Sequence, residues 1–433
     1  MRTLTHIAAM TALLATPAAA LDIQSHTTPG GIGYWLVEEP AIPMVALEIT
    51  FEGGARLDPA GQEGAANYVA ALLDEGAGDL DAVGFAEARD AISARFGFSA
   101  GRDSFSVSAR MLSESANETA ALLATALAEP RFDADPMARV RGQILSSLAE
   151  AKTNPSTLAR DAWFARAFAE GHPYASPVAG SEESVEALTR EALLAAHGRL
   201  LTRANVTVGV VGDVDAATAS ALIDTVLAGL PEGEPVPPAP VAEAPPAGVQ
   251  VVELSVPQSA AIFGHAGLRR DDPDFFPAFV MNYILGGGDF SSRLMEEVRE
   301  KRGLAYGVYS YLSVLDGAAL HLGSVQTVNA RMAESLDVIR GEWARLRDEG
   351  IDEDALERAK RYLTGAFALR FDSNAKIAGY LVFMQREDLG IDYYERRNSL
   401  VEAVTVEDVN RVAAKLLDPD ALSIVVVGQP VGL

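Results

Sequence analysis

The stretch from Gly286 to Tyr306 is Gly-Gly-Gly-Asp-Phe-Ser-Ser-Arg-Leu-Met-Glu-Glu-Val-Arg-Glu-Lys-Arg-Gly-Leu-Ala-Tyr. Its three glycines predict a turn. The hydroxyl of Ser291 or Ser292 suits the start of a helix, because it can accept a hydrogen bond from a free backbone N–H. Leu294 and Val298 lie one helical turn apart and give that helix an apolar side. The stretch therefore predicts a short helix with a charged outer face.

The end of this helix carries two candidate functional residues. Gly303 is typical of the position just past a helix C-terminus, and we expect a strand to begin near Leu304. Arg299 and Tyr306 flank this junction. On local pattern alone they are either part of a solvated helix with an ordinary core tyrosine, or a pair that converges on a ligand.

Composition limits the class of protein. A chain of 433 residues is long enough for two to four domains. Its content of 49% hydrophobic and 22% charged residues is typical of a globular protein. The net charge of −25 argues against binding to nucleic acids or anionic membranes, which needs a cationic surface. Without cysteine, neither disulfides nor thiolate metal sites can form.

The N-terminus has the features of a signal peptide over residues 1–20. Arg2 is basic, Ile7 to Leu14 is largely apolar, and Ala18 to Ala20 is a small-residue cleavage site that would leave Leu21 first. The apolar run is too short to span a bilayer. We expect an exported protein located in a bacterial periplasm, with no membrane span.

The two halves of the chain are related by a constant shift, which places position 185 on position 401. The segment Val185-Glu-Ala-Leu-Thr then falls on Val401-Glu-Ala-Val-Thr. Without any gap, Val208-Gly-Val-Val-Gly falls on Ile424-Val-Val-Val-Gly. A period of half the chain indicates a duplicated domain and not a solenoid.

A proline-rich segment separates the two copies. Seven prolines lie between Pro231 and Pro246, which is typical of an extended, semi-rigid linker. We therefore predict an N-terminal domain over residues 21–230, a linker over 231–248 and a C-terminal domain over 249–433. Strand and helix patterns alternate irregularly within each half, which favours an α+β fold with mixed sheets.

Several kinds of catalytic site lack support in the sequence. The six histidines include no pair at the spacing of one helical turn, so no helical zinc pair exists. His172 is expected to be a hydrogen-bonded structural residue in a turn. No Gly-x-Ser-x-Gly or phosphate-loop motif is present. Adjacent acids such as Glu296 and Glu297 are explained by a solvated helix face.

Ser291 to Tyr306 closely resembles a signature in the second domain of the pitrilysin/insulinase-type metallopeptidases, the inverted-zincin group that includes the mitochondrial processing peptidase. Gly53-Gly-Ala-Arg-Leu-Asp-Pro and Gly171-His-Pro-Tyr are similar to landmarks of the first domain. The resemblance covers essentially the whole chain after residue 20. It implies two tandem α+β domains, each a mixed sheet covered by helices, that form one half of a clam-shell.

Active members of this family carry His-x-x-Glu-His, in which two histidines bind zinc and the glutamate activates water. The matching positions here are Asn67, Ala70 and Ala71, and the distal glutamate position falls at Ser146-Ser147. All four chemical groups are missing. The resemblance therefore implies no metal site in this chain, and no peptide hydrolysis by this chain alone.

Arg299 and Tyr306 match an arginine–tyrosine pair that reaches the zinc site from the opposite half in active relatives. The family includes bacterial heterodimers in which one subunit carries the zinc helix and the other carries this pair. The resemblance thus implies a non-catalytic subunit that binds peptide and acts in trans, with zinc in the partner. One alternative is a scaffold or peptide-binding protein, like the degenerate core subunits of respiratory complexes. Another is an active peptidase with an unrecognised metal site.

The resemblance also implies a substrate peptide that lies along a sheet edge. The residue pattern predicts a helix over Gly84 to Phe96 and then a strand over Ser104 to Met111. We expect this strand to be the edge, with peptide bound chiefly on the partner.

Overall fold

The computed structural model describes residues 21–433, so the predicted signal peptide lies outside the described residues. Thirteen strands are present in this part of the chain. They are β1 (Gln24–Thr27), β2 (Gly33–Glu38), β3 (Met44–Glu52), β4 (Gly76–Ala77), β5 (Leu80–Asp81), β6 (Arg95–Ala100), β7 (Ser104–Leu112), β8 (Val206–Gly212), β9 (Gly248–Glu253), β10 (Gln258–Ala266), β11 (Val308–Leu315), β12 (Ala318–Val328) and β13 (Ser423–Gly428).

Fourteen α-helices of the described residues surround these strands. They are α1 (Ala65–Ala70), α2 (Ala82–Ala91), α3 (Ala116–Ala128), α4 (Ala134–Ala151), α5 (Pro155–Ala167), α6 (Glu182–Ala187), α7 (Arg190–Leu200), α8 (Ala216–Leu227), α9 (Phe275–Asn282), α10 (Met332–Glu349), α11 (Glu353–Gly365), α12 (Asn374–Arg386), α13 (Tyr393–Glu402) and α14 (Val406–Leu416). In the described part of the chain, no helix has the combined length and apolarity that crossing a membrane requires.

The two halves share the topology of five strands, to which the first half adds β1 at one edge. The first sheet has the order β1-β2-β8-β3-β7-β6, and the second, in the matching direction, has the order β9-β13-β10-β12-β11. β8 is parallel to β2, and β13 is parallel to β9, whereas the other pairs are antiparallel. The shift that relates the two halves of the sequence also places the bounds of α7 on those of α14. The predicted fold of two α+β domains with mixed sheets is confirmed.

Each domain has its own core on one face of its sheet. In β3 the alternate residues Val45, Leu47, Ile49 and Phe51 are buried against the helices of the first domain, as the twofold repeat of a strand requires. A second cluster around Trp343 fills the equivalent space in the second domain. Two separate cores are what independent copies of one domain need.

The opposite faces of the two sheets are covered by exchanged helices. α5, from the first domain, lies on β10 and β13, and Trp163 Nε1 donates to the carbonyl oxygen of Ser423 at 3.0 Å. α12, from the second domain, lies on β8 and β3, and Gln385 Nε2 donates to the carbonyl oxygen of Val208 at 2.9 Å. Each half therefore completes the other.

Residues 231–247 contain neither helix nor strand but form hydrogen bonds with both domains. Arg56 Nη1 donates to the carbonyl oxygen of Pro237 at 2.9 Å. The N–H of Ala242 donates to the carbonyl oxygen of Gly317 at 3.0 Å, and Arg166 Nη2 donates to that of Ala247 at 2.9 Å. These bonds fix the extended segment in place.

The predicted edge strand is wrong. β7 pairs with β3 on one side and β6 on the other, so β6 forms this edge of the sheet. The helix predicted to reach Phe96 ends at Ala91, and Ser93 has a positive φ of 54° that leads the chain away from the helix. Phe96 and Phe98, at alternate positions, both pack against the core, and this alternation is the signal for β6.

Candidate functional site

The helix at the predicted zinc position is held at its start by Asp58. The carboxylate of Asp58 accepts hydrogen bonds from the N–H groups of Gly64 and Ala66, each at 3.0 Å. Burial raises the pKa of Asp58 to about 7. Gly64 has φ 94°, and a Cβ there would meet the carbonyl oxygen of Ala179 at 2.6 Å, so only glycine fits. The Gly53–Pro59 motif thus positions α1.

α1 and α4 together line a cavity of about 750 Å³ between the two domains. Asn67 of α1 and Ala71, the residue that directly follows α1, face it together, as their spacing of one helical turn predicts, and Ser147 faces it from α4. Ala70 is 6% exposed and packs in the core. The hydroxyl of Tyr68 donates to a backbone carbonyl of α4, which fixes one helix against the other.

The residues at this cavity do not fit zinc. At the four positions that hold the zinc site in active family members, one amide, two methyl groups and one hydroxyl replace two imidazoles and two carboxylates, and the methyl group of Ala70 does not face the cavity at all. No group of three His, Asp, Glu or Cys side chains within residues 21–433 could hold a metal ion. We therefore assign no metal-dependent step to this chain's own cavity.

The segment that carries Arg299 is helical, but its winding differs from an α-helix. Tyr283–Gly287 and Met295–Glu300 are both π-helical, and π-helical turns are frequent at functional sites. The hydroxyls of Ser291 and Ser292 do not cap this helix as predicted. They donate to the carbonyl oxygens of residues 288 and 289, at 2.6 and 2.8 Å, and tighten the glycine turn.

Gly303 ends the helix as predicted. It adopts φ 57°, and its N–H donates to the carbonyl oxygen of Arg299 at 2.9 Å. The strand expected near Leu304 begins instead at Val308, because residues 304–307 form an irregular connection. Tyr306 lies in this connection, outside the sheet.

Arg299 and Tyr306 contact each other. The guanidinium carbon of Arg299 lies 4.8 Å from the ring centre of Tyr306 and 4.4 Å from that of Phe290. Tyr306 is 83% exposed and Phe290 is 56% exposed. Tyr306 is therefore not a core residue. Arg299 forms no salt bridge with another residue of the described chain.

Glu297 fixes the last turn of this helix. It is 5% exposed, and its carboxylate accepts hydrogen bonds from Lys301 Nζ at 2.7 Å and from Arg302 Nη1, with Arg345 Nη1 at 3.5 Å. The hydrogen bonds from Lys301 and Arg302 lower the pKa of Glu297 to about 2. The prediction of a solvated pair of acids holds for Glu296 but is wrong for Glu297.

Tyr306 and the degenerate zinc positions line different cavities. Tyr306 lines a cavity of about 960 Å³ on the outer face of the second sheet, which neither Asn67 nor Ala71 reaches. Arg160 and Tyr311 line both cavities and stand between them. The chain therefore does not direct its own arginine–tyrosine pair at its own degenerate motif.

A cluster of charged residues between the domains was not predicted from the sequence. Tyr174 donates from its hydroxyl to Asp103 and accepts from the N–H of Gly317 at 3.0 Å. Asp103 Oδ2 accepts from the N–H of Asp316 at 3.1 Å, and Arg56 Nε lies 3.5 Å from Asp103 Oδ1. The partners are up to 213 residues apart, so no local pattern could identify them.

His172 lies beside this cluster and is structural, as predicted. Its Nδ1 accepts from the N–H of Tyr174 at 3.1 Å, and its Nε2 lies 3.2 Å from the carbonyl oxygen of Pro240. The motifs Gly53–Pro59 and Gly171–Tyr174 thus hold the two domains and the linker together.

The family follows from comparison with known proteins. Residues 35–182 match the model of the insulinase family, peptidase family M16, and residues 187–363 match the model named peptidase M16 inactive domain. The crystal structure of a peptidase M16 inactive domain from Pseudomonas fluorescens is 32% identical, with a TM-score of 0.89 over 95% of this chain and 98% of that one. The chain belongs to the M16 family.

Two curated relatives differ in the activity that their names state. A Mycobacterium leprae protein named uncharacterized zinc protease is 28% identical over 402 residues, which cover 90% of this chain and 88% of that protein. A Helicobacter pylori protein named non-peptidase homolog is 26% identical over 334 residues, 77% of each chain. This chain combines the family fold with a site that lacks the zinc donors, which is consistent with a non-catalytic member.

Proposed function

We propose that this protein is the non-catalytic subunit of a periplasmic heterodimeric zinc metallopeptidase. In this role it presents Arg299 and Tyr306 to the zinc site of a partner subunit of the same family. The observation that carries the proposal is the 83% exposure of Tyr306, stacked on an arginine with no salt bridge in the described chain. A tyrosine and an arginine displayed in this way suit a surface that another chain completes.

The two side chains have complementary chemistry. The guanidinium of Arg299 offers a fork of donors to a substrate carbonyl or carboxylate. The hydroxyl of Tyr306 can donate to the oxyanion that develops at the scissile carbonyl. Such a donor acts only as charge builds up in the transition state, and its loss typically lowers kcat by about 10²–10³-fold.

The partner must supply what this chain lacks. Zinc, the general base and most of the peptide-binding edge belong to a subunit with His-x-x-Glu-His. The cavity at Asn67 and Ala71 supports this division, because it is lined by an amide and a methyl group in place of ligands. Alone, the chain is expected to bind no stoichiometric zinc and to cleave no peptide.

Co-purification tests the proposal. The chain is purified from its native host together with any bound protein, the zinc content per complex is measured, and peptide cleavage is assayed. We expect Arg299→Ala and Tyr306→Phe each to lower kcat at least tenfold without dissociating the complex. Arg358→Ala and Tyr362→Phe are matched controls, since both residues are exposed on α11.

Two results would contradict the proposal. Full activity of the complex with both Arg299 and Tyr306 changed would exclude their role at the zinc site. A membrane complex without a zinc-binding family member as the main partner would favour the scaffold alternative, in which the pair is inherited structure.

A further inference from the structure

A small cavity lies in the second domain, where the chain leaves α11 and enters α12. Its volume is about 120 Å³. Three arginines line it, Arg270, Arg370 and Arg397, and seven aromatic side chains complete the wall. This concentration of positive charge is unexpected in a chain with a net charge of −25.

Two of the arginines are held rigidly. Arg397 is 5% exposed, its Nη1 donates to the carbonyl oxygen of Leu363 at 2.8 Å, and its guanidinium carbon lies 4.6 Å from the ring centre of Phe367. Arg270 Nη2 donates to the hydroxyl of Tyr393 at 2.7 Å. Arg370 is exposed, so the cavity reaches solvent there. The other guanidinium N–H groups of Arg270 and Arg397 are fixed in position and available to a ligand.

No carboxylate within residues 21–433 forms a salt bridge with any of the three arginines. Acids near them in the sequence pair with other cations: Asp271 with Arg269 at 3.5 Å, Asp274 with Arg411 at 2.6 Å, Asp372 with Lys376 at 2.7 Å and Asp392 with Arg396 at 3.0 Å. Arg397 is the buried one of the three, and its guanidinium lies over the rings of Phe279 and Phe367. A buried charge that no carboxylate neutralises is costly. Burial lowers the pKa of Arg397, against the opposing effect of Tyr393 and Tyr380, and the charges of Arg370 and Arg270 act in the same direction as burial.

We propose that this cavity is a binding site for a small, doubly charged oxyanion of the phosphate class. Planar guanidinium forks match tetrahedral oxyanions, and three of them balance a dianion better than a single carboxylate. The volume is below the ~300 Å³ of a typical drug-sized ligand pocket, which favours a free anion or one phosphate group over a whole nucleotide.

The bound anion also connects the body of the second domain to the segment that leads into α12. Arg370 precedes α12, which covers the sheet of the first domain, whereas Arg270 and Arg397 belong to the body of the second domain. One anion bound by all three residues therefore fixes the segment through which the second domain reaches the first. This role is independent of Arg299 and Tyr306.

Isothermal titration of the full chain with inorganic phosphate, in chloride buffer at constant ionic strength, tests the site. We expect saturable binding at one site per chain, weakened at least tenfold in Arg370→Gln and in Arg270→Gln. Arg358→Gln removes the same charge from an exposed position of α11 outside the cavity and should bind as the unchanged protein does. Titration is chosen over a shift in Tm because phosphate stabilises proteins generally by exclusion from their surface.

Three results would overturn the site. They are the absence of saturable heat, unchanged affinity in both cavity variants, and an equal loss of affinity in Arg358→Gln. Equal affinity for acetate at the same ionic strength would contradict the proposed preference for a dianion. It would indicate instead that the cavity binds an acidic side chain of a partner. Circular dichroism spectra of the variants, compared with that of the unchanged chain, exclude misfolding as the cause of lost binding.

Discussion

Among single residues, Glu297 determines how firmly the helix that carries Arg299 is held. Its buried carboxylate contacts Lys301, Arg302 and Arg345. We expect Glu297→Gln to lower the free energy of unfolding by about 2 kcal/mol at pH 7, because the three cations then lose a charged partner. Urea denaturation of the isolated chain measures this change.

The pH dependence of this effect has a definite sign. The folded-state pKa of about 2 lies below the ordinary value of 4.5, so Glu297 contributes stability that is complete above about pH 4.5 and is lost as the pH falls towards 2. The difference between the two proteins should therefore shrink below pH 4.5. Glu296→Gln is the control, with an expected change of about 0.5 kcal/mol or less, because Glu296 is exposed. Equal losses in the two variants would contradict the role of Glu297.

Residue-scale prediction from the sequence succeeds where the signal is local. The resemblance places Asn67 and Ala71 at two zinc-ligand positions one helical turn apart, and the structure places both on one cavity. Glu296 and Glu297 have the same local sequence context, yet only one is buried. Glu297 faces Arg345 of α10, a tertiary contact with a residue distant in the sequence that the local context does not reveal.

At the scale of elements, the exchanged helices α5 and α12 make each domain depend on the other. Leu381 of α12 is fully buried in a cluster with Val37, Ala46 and Val211 of the first domain. We expect Leu381→Ala to cost about 2–5 kcal/mol, the range for such cavity-forming changes. The loss should appear in a single unfolding transition of the whole chain, followed by calorimetry.

Leu369→Ala is the matched control, since this leucine is 76% exposed and precedes the same helix. Its expected effect is about 0.5 kcal/mol or less, as for most exposed positions. Two separate transitions, with only the first-domain transition shifted by Leu381→Ala, would show that the domains unfold independently and that the exchange contributes little.

Elements with a strong hydrophobic period are predicted well, and those without one are not. The helix and strand that recur in both halves, α7 with α14 and β8 with β13, are evident from the sequence. The predicted helix over Gly84 to Phe96 instead includes the first two residues of β6, and the local pattern assigns no element to the rest of this strand. The π-helical winding around Arg299 leaves no compositional trace in the sequence.

In the whole molecule, duplication is visible in the sequence but the contact between the copies is not. The prolines of the linker predict an extended segment. The hydrogen bonds that attach it to the two domains cannot be predicted, because they use backbone carbonyl groups, which every residue has. The outer faces of both sheets are apolar at their centres, as in β8 and β13, which predicts a cover without saying which helix provides it.

The cluster of charges between the domains gives the whole molecule a testable pH response. Burial, together with the charges of Asp103 and Glu52, raises the pKa of Asp316 to about 6, against the opposing effect of Arg386 and Arg56. An acid with a raised folded-state pKa contributes stability at low pH that is lost as the pH rises through about 6. Asp316→Asn removes this loss and keeps the backbone bond to Asp103.

We therefore expect the stability of Asp316→Asn relative to the unchanged protein to improve by about 1 kcal/mol between about pH 4 and pH 7.5. This is less than the ~3 kcal/mol of the full shift, because the side chain is 37% exposed and its charge is screened. Asp372→Asn is the control, since Lys376 lowers the pKa of Asp372 and its change should act in the opposite direction. Urea unfolding at both pH values measures the difference. A variant that loses stability, relative to the unchanged protein, as the pH rises would mean that Asp316 acts mainly as an anion paired with Arg56 and Arg386.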